Sequence, residues 1–94
     1  MTTASIPDVK DISKLALYYK DTCPFCFKVQ QVMQEIGINH LTLHSTFEET
    51  HLNTLIAEGG KRQVPCLRIE SADQGTVWLY ESDAIIDYLQ RNFA

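Results

Sequence analysis

Cys23-Pro24-Phe25-Cys26 lies between a short apolar run and a longer amphipathic segment. The apolar run, Leu15–Tyr19, is long enough for a buried strand. Pro24 suits the first turn of a helix, because an N–H has no partner there and the fixed φ of proline is already helical. Beyond it, apolar residues recur at helical spacing until Gly37, a typical residue just after a helix end. This stripe consists of Val29, Val32, Met33 and Ile36.

The next segment predicts a second strand and a second helix. Residues 38–44 alternate between apolar and polar side chains, which is the pattern of a half-buried strand. Thr46 and Glu49 have the spacing of a capping box at the start of a helix. This helix ends at the pair Gly59-Gly60. Its inward-facing residues are Leu52, Leu55 and Ile56.

The last third of the chain predicts a hairpin and a terminal helix. Residues 64–69 and 76–80 have the composition of strands, and the polar turn 71–75 between them implies an antiparallel pair. The final helix begins at or near Ser82. The order is therefore β-α-β-α-β-β-α, in which the first β-α-β unit implies parallel neighbours joined by a right-handed crossover. The inward residues of the last helix are Ile85, Ile86 and Leu89.

The composition is that of a small globular domain. The chain has 94 residues, of which 45% are hydrophobic and 21% charged, so we expect one domain over residues 1–94 with residues 1–13 as an N-terminal extension. A net charge of −4 without a basic cluster argues against nucleic acid as a partner. No apolar run has membrane-spanning length, and we recognise no secretory signal. We therefore expect a cytoplasmic protein without a membrane partner.

The cysteines suggest redox chemistry rather than a disulfide framework. Their number is odd, and two of them lie three residues apart. A Cys-x-x-Cys within a β-α-β unit is typical of a thioredoxin-like redox motif. Cys23 precedes a helix whose first N–H groups are unpaired and positively polarised, which favours the nucleophilic thiolate. Cys26 lies within the first turn and deeper, so we predict that Cys23 attacks and Cys26 resolves.

Other roles for the cysteines stay open at this point. A zinc site requires a second pair of ligands, and His40 and His44 on one strand are too far apart for an easy chelate. Cys23 and Cys26 are also compatible with two inert core residues. Cys66 is either a small buried hydrophobic residue in a strand or a third redox-active sulfur.

Three motifs, in this order and spacing, resemble those of the glutaredoxins, and the resemblance extends from Leu15 to Leu89. It implies a thioredoxin-like α/β fold, a mixed four-stranded sheet flanked by three helices, and glutathione-dependent reduction of glutathionylated and disulfide-bonded proteins by a monomer without a metal. The motifs are Tyr18-Tyr19-Lys20-Asp21-Thr22-Cys23-Pro24-Phe25-Cys26, Gly60-Lys61-Arg62-Gln63-Val64-Pro65 and Glu81-Ser82-Asp83.

The resemblance also implies how one end of glutathione is held. Pro65 would be in cis and would face the sulfur of Cys23. The backbone of Val64 would pair with the cysteine of glutathione as a β-strand does. Lys20 and Arg62, together with Gln63, would lie near the glycine carboxylate of glutathione.

The γ-glutamyl end of glutathione would lie at the start of the last helix. By the same resemblance, Ser82 and the helix N–H groups would bind its carboxylate, and Asp83 its ammonium. The alternative for Ser82 is an ordinary N-cap. Many glutaredoxins have a Gly-Gly pair before this helix, whereas the Glu81-Ser82 pair is more similar to the glutathione-binding N-terminal domain of glutathione transferases.

Four aromatic residues also have expected positions. Tyr18 and Phe25 would line the glutathione groove, whereas Phe27 and Trp78 would pack in the interior.

Three alternative functions stay open. One is an iron–sulfur carrier in which two protomers and two glutathiones hold a cluster through Cys23. Others are a glutathione-binding module without turnover, such as a transferase remnant, and a thioredoxin reduced by a flavin enzyme.

Overall fold

The computed structural model describes residues 6–38, 41–72 and 74–93. Within these ranges the elements follow the predicted order, and no helix is long and apolar enough to cross a membrane. The strands are β1 (Leu15–Tyr19), β2 (Thr42–Ser45), β3 (Cys66–Ser71) and β4 (Gly75–Tyr80), and the helices are α1 (Pro24–Glu35), α2 (Glu49–Thr54) and α3 (Ser82–Phe93). A 3-10 turn over Ile12–Lys14 precedes β1, and a π-helical turn over Leu55–Gly59 continues α2.

The four strands form one mixed sheet in the order β2-β1-β3-β4. β1 is parallel to β2, as the crossover through α1 requires. β3 is antiparallel to both β1 and β4. Because side chains alternate along a strand, β1 buries Leu15 and Leu17 on one face and Ala16 and Tyr18 on the other.

The two faces of the sheet are covered differently. α1 and α3 bury the larger cluster on one face, and Leu55 at the end of α2 closes a smaller one on the other face. The larger cluster consists of Leu15, Leu17, Val29, Met33, Leu41, Leu67, Ile69, Leu79, Ile85, Tyr88 and Leu89. The smaller one consists of Ala16, Tyr18, Leu55 and Cys66.

The end of α1 follows the sequence prediction. Gly37 has φ +83°, a backbone conformation that glycine adopts without the steric cost of a Cβ. The N–H of Ile38 donates to the carbonyl of Met33 at 2.8 Å, and the N–H of Gly37 donates to that of Gln34 at 3.2 Å. These two bonds form a Schellman motif, which satisfies the last carbonyls of the helix.

Three predicted element boundaries are wrong. β2 begins at Thr42 rather than at residue 38, although Asn39 and His40 lie outside the described residues. α2 begins at Glu49 with Glu48 as its N-cap, so Thr46 lies outside the helix and forms no capping box with Glu49. The N–H and the hydroxyl of Thr46 both donate to the carbonyl of Tyr19, at 2.8 and 3.1 Å. β3 begins at Cys66 rather than at residue 64.

One prediction of an inward-facing residue also needs correction. Ile56 is exposed, because α2 has only six residues and changes at Leu55 into a π-helical turn with a different periodicity. Ile86 is half-buried and packs against the larger cluster, as predicted. Tyr88, which the apolar pattern missed, is completely buried. Its hydroxyl accepts from the N–H of Val9 at 2.9 Å and donates to the carbonyl of Pro7 at 2.8 Å, so the buried phenol is satisfied.

Replacing Tyr88 with phenylalanine should therefore destabilise the protein. The substitution keeps the ring but leaves the N–H of Val9 and the carbonyl of Pro7 without their partner, which should cost about 1–3 kcal/mol of unfolding free energy. Urea denaturation followed by circular dichroism measures this loss. Tyr19→Phe is the matched control, because the hydroxyl of Tyr19 bonds to no described residue. Equal stability of the two variants would contradict the assignment.

Candidate active site

The sheet topology brings the three sequence motifs to one end of the molecule. Cys23 follows β1, Pro65 precedes β3 and Glu81 follows β4. Because β3 is antiparallel to both of its neighbours, its start lies beside the ends of β1 and β4. Adjacent strands are about 4.8 Å apart. The motifs, which are up to about sixty residues apart in sequence, are therefore neighbours in space.

Cys23 is the N-cap residue of α1. Its N–H donates to the carbonyl of Lys20 at 3.1 Å, and its carbonyl accepts from the N–H of Phe27 at 3.1 Å. Pro24 occupies the first helical position. The half-buried Cys23 sulfur therefore lies at the positively polarised end of the helix.

Cys26 lies deeper than Cys23, as its spacing predicted. Its side chain is only 1% exposed, and both thiols are free. Burial raises the pKa of Cys26 to about 12, although the N–H of Lys20 opposes this by donating to its sulfur at 3.5 Å. The neighbouring Cys23 raises the pKa of Cys26 further. One thiol is thus accessible, and the other is held protonated within reach of it.

A cleft of about 360 Å³ lies beside this pair. Every residue that lines it belongs to one of the three sequence motifs. We call it the acidic cleft, since two of its lining side chains are carboxylates and none is basic. Its lining residues are Phe25, Gln63, Val64, Pro65, Glu81, Ser82 and Asp83. The Val64–Pro65 peptide bond is cis, as the resemblance implied.

The start of α3 forms one wall of the acidic cleft. Glu81 has φ +78°, a left-handed conformation that is uncommon for a residue with a side chain. Its carboxylate accepts from the side-chain amide of Gln63 at 3.1 Å, and its carbonyl accepts from the N–H of Ile85 at 3.0 Å. Glu81 rather than Ser82 is therefore the N-cap of α3. Among the described residues, the hydroxyl of Ser82 has no hydrogen-bond partner.

Lys20 and Arg62 line a second cleft, of about 260 Å³, which we call the basic cleft. Both side chains are exposed, and neither forms an ion pair with a described residue. Val64 lines both clefts. Its backbone forms no hydrogen bond with another described residue, so its N–H and carbonyl are available to an extended ligand. The other lining residues of the basic cleft are Thr46, Phe47, Leu52 and Leu55.

Cys66 is a buried side chain of β3. It has no exposed surface, and it belongs to the smaller apolar cluster. Burial raises its pKa to about 12, and a hydrogen bond with the hydroxyl of Tyr80 opposes the rise. That hydroxyl also donates to the carbonyl of Lys61 at 3.3 Å. These contacts favour the structural interpretation of Cys66 over a redox role.

Two of the four aromatic predictions are wrong. Tyr18 lines neither cleft, because its side chain is 1% exposed and its hydroxyl accepts from Arg68 at 3.1 Å. Phe27 does not pack in the interior. It lies on the side of α1 that faces away from the buried residues Val29 and Met33, and its side chain is 63% exposed. Trp78 packs on the Tyr18 ring, with 5.4 Å between the ring centres. Phe25 lines the acidic cleft, as predicted.

Sequence reasoning missed two features of the site. Phe47 is exposed beside the basic cleft, and nothing in its local pattern distinguishes it from an ordinary loop residue. Lys28 forms an ion pair with Asp83, with 2.8 Å between Nζ and Oδ1. Lys28 lies three residues after Phe25 on the same side of α1, and this spacing is the signal that could have placed it near Asp83 at the edge of the acidic cleft.

The histidines of the described chain do not assemble a metal site with the cysteines. Within residues 6–38, 41–72 and 74–93, no group of three or more His, Cys, Asp or Glu side chains could hold a metal ion. His44 stacks on His51, with 4.1 Å between the ring centres. Burial and the neighbouring His51 lower the pKa of His44. His40 lies outside the described residues.

Two buried thiols, Cys26 and Cys66, and the half-buried phenol of Tyr80 predict that the protein loses stability at high pH. The pKa values of Cys26, Cys66 and Tyr80 are raised to about 12 from ordinary values of 9.0, 9.0 and 10.0. Above about pH 9 the unfolded chain loses these protons while the folded chain keeps them, so stability falls until the folded groups also ionise. The slope should be at most about 1.4 kcal/mol per pH unit for each group.

Urea denaturation at intervals between pH 8 and pH 11 measures this slope. Cys66→Ala should make the decline shallower, because it removes one of the three groups. Stability that stays constant or rises over this range would contradict the assignment of buried, protonated thiols.

Comparisons with known proteins agree with this architecture. The family described as glutathione S-transferase, N-terminal domain, matches residues 17–94. A variant of the thioredoxin-like protein BC3987 is 18% identical, with a TM-score of 0.61 over 86% of this chain and 100% of its own. Its similarity confirms the predicted thioredoxin-like fold.

A second solved structure is TDR1 of Leishmania, described as a trimeric glutathione transferase. It is 29% identical, with a TM-score of 0.63 over 85% of this chain. The match covers 18% of the TDR1 chain, so the present chain corresponds to a small part of that protein. No curated protein matches the sequence.

Proposed function

Because the chain belongs to the family of glutathione S-transferase N-terminal domains, we propose that it is a glutathione-dependent thiol–disulfide oxidoreductase of the glutaredoxin type. The observation that carries this proposal is the cysteine pair. Cys23 is half-buried at the start of α1, and the protonated, buried Cys26 lies beside it in the first turn of that helix. A pair of this kind can exchange disulfides, since one sulfur attacks and the other can close the ring.

The two clefts support glutathione as the co-substrate. Glutathione is an extended tripeptide with a carboxylate at each end and an ammonium at the γ-glutamyl end. In our proposal the γ-glutamyl group lies in the acidic cleft, where Asp83 binds the ammonium and the first N–H groups of α3 bind the carboxylate. The cysteine of glutathione pairs with the backbone of Val64. Lys20 and Arg62 bind the glycine carboxylate from the basic cleft.

The proposed cycle has two exchange steps. The Cys23 thiolate attacks the glutathione sulfur of a mixed disulfide, forms a bond with it and releases the substrate as a thiolate. The thiolate of a second glutathione then attacks the glutathionyl sulfur, which releases glutathione disulfide and restores the Cys23 thiolate. With a protein disulfide, the Cys23 thiolate first forms a mixed disulfide with the protein. Cys26 then attacks the Cys23 sulfur, its proton leaves on the departing protein thiol, and two glutathiones reduce the Cys23–Cys26 disulfide and are released as glutathione disulfide. In each step one disulfide is exchanged for another, so electrons balance.

Conjugation of glutathione to an electrophile is a second candidate, which the family favours. Conjugation requires the thiolate of glutathione itself to be stabilised by a hydrogen-bond donor. A Cys23 thiolate would repel that charge, whereas it attacks a glutathionyl disulfide readily. The site therefore supports exchange better than conjugation.

The test is reduction of the mixed disulfide of glutathione and 2-mercaptoethanol, coupled through glutathione reductase to NADPH oxidation. We expect turnover that saturates with glutathione, and none when thioredoxin reductase replaces glutathione and its reductase. Absence of turnover would overturn the proposal. In that case, conjugation of chlorodinitrobenzene would indicate a transferase, and a brown colour after anaerobic purification would indicate a cluster carrier.

A further inference from the structure

The ion pair between Lys28 and Asp83 joins α1 to α3 at the edge of the acidic cleft. Both side chains are largely exposed, at 52% and 86%. Exposed pairs of this kind contribute only about 0–1 kcal/mol to folding stability. Stability therefore gives little reason for the contact.

The charges of the acidic cleft suggest that the ion pair contributes to ligand binding. The lining residues include the carboxylates of Glu81 and Asp83 and no basic side chain. Lys28 is the cation that contacts one of these carboxylates, through Oδ1 of Asp83. The other oxygen of Asp83 bonds to no described residue, and an ammonium group has three N–H donors. Each partner thus keeps hydrogen-bonding capacity for a ligand.

We infer that Lys28 is a specificity-determining residue, which together with Asp83 recognises the zwitterionic α-amino-acid head of a γ-glutamyl ligand. Asp83 accepts from the ligand ammonium, and Lys28 donates to the adjacent ligand carboxylate. The pair presents opposite charges side by side, and each contact is a charge-assisted hydrogen bond. This inference rests on the proposed glutathione site and adds the residue that reads the α-carboxylate.

A different role for Lys28 predicts the opposite result. If Lys28 only competed with the ligand ammonium for Asp83, removing it would free the carboxylate and lower the KM for glutathione. If Lys28 binds the ligand carboxylate, removing it leaves a cleft of uncompensated negative charge and raises that KM. The sign of the change therefore separates the two roles.

The experiment compares wild type with Lys28→Met, using glutathione and γ-aminobutyryl-cysteinylglycine, which keeps the amine but lacks the α-carboxylate. Each tripeptide reacts with its own mixed disulfide with 2-mercaptoethanol, and chromatography measures the disulfide product. For Lys28→Met we expect the KM for glutathione to rise about three- to ten-fold, with kcat unchanged. The KM for the analogue should stay within about two-fold of the wild-type value, because the contact that Lys28 makes is already missing. Lys28→Arg should restore most of the affinity for glutathione.

Lys14→Met is the matched control, because it removes the same charge from an exposed site at the opposite end of β1. It should leave both KM values unchanged. An unchanged or lower KM for glutathione in Lys28→Met, or an equal rise for both ligands, would overturn the inference. Absence of turnover in the wild type would overturn the proposed function and this inference with it. If the wild type does turn over, an unexpected result for Lys28→Met overturns only the role of Lys28 and leaves the proposed function standing.

Discussion

Replacing Cys23 with serine should abolish glutathione-dependent reduction of a mixed disulfide, lowering kcat/KM by about a thousand-fold or more. Cys23 is the half-buried thiol at the start of α1, and in the proposed cycle both exchange steps occur at its sulfur. A serine hydroxyl keeps the size of the side chain but is not ionised at neutral pH. The coupled assay with glutathione reductase measures the loss directly.

Cys26→Ser is the matched variant in the same assay. It should keep most of the activity towards a small mixed disulfide, because the second glutathione can attack the glutathionylated Cys23 without a resolving thiol. Towards a protein disulfide it should lose activity, since Cys26 closes the ring in that reaction. Equal loss in both variants with the mixed disulfide would contradict the separate roles of the two cysteines.

The second large effect concerns the reactivity of the three thiols. Iodoacetamide at pH 7 should modify Cys23 while Cys26 and Cys66 stay unmodified in the folded protein. The two protected side chains are 1% and 0% exposed, and their pKa values are raised to about 12. At pH 7 only about one in 100,000 molecules of such a thiol is ionised, and the thiolate is the form that reacts.

Peptide mapping after trypsin digestion can separate the sites. Cys23 and Cys26 share the peptide of residues 21–28, so fragmentation in the mass spectrometer must distinguish them, whereas Cys66 lies in the peptide of residues 63–68. The control is the same reaction in urea, in which all three cysteines should be modified. Modification of Cys66 in the folded protein as fast as Cys23 would contradict its burial.

Features set by the local backbone could be predicted from the sequence. Pro24 begins α1 and Gly37 follows its end, because proline and glycine restrict or permit particular φ values whatever surrounds them. Thr46 shows the limit of local rules. Its spacing to Glu49 suggested a cap, but α2 begins three residues later, and the hydroxyl of Thr46 donates instead to the carbonyl of Tyr19 in β1.

Tertiary contacts account for the aromatic errors. Tyr18 and Tyr88 each have a polar hydroxyl, yet both side chains are buried, because each hydroxyl forms a hydrogen bond with a partner that is distant in sequence. Those partners, Arg68 and the segment at Pro7, have no local signal. Phe27 could have been placed correctly, because it lies outside the helical stripe that contains Val29 and Met33.

The candidate site was largely predictable as a set of residues but not as a shape. The three motifs supplied every residue that lines the acidic cleft. The resemblance separated Lys20 and Arg62 from the start of α3, but it grouped Gln63 with them. In the structure Gln63 lies in the acidic cleft, where its amide donates to Glu81. The ion pair of Lys28 with Asp83 joins residues 55 positions apart, so only the fold brings them together.

The most direct test of a glutathionylated Cys23 is to isolate it. The Cys26→Ser variant, incubated with glutathione disulfide and freed of excess reagent, should carry one glutathionyl group per chain in the intact-mass spectrum. Peptide mapping should locate the group on Cys23, and added glutathione should remove it. An unmodified chain, or an adduct on Cys66 instead, would contradict the proposed role of Cys23.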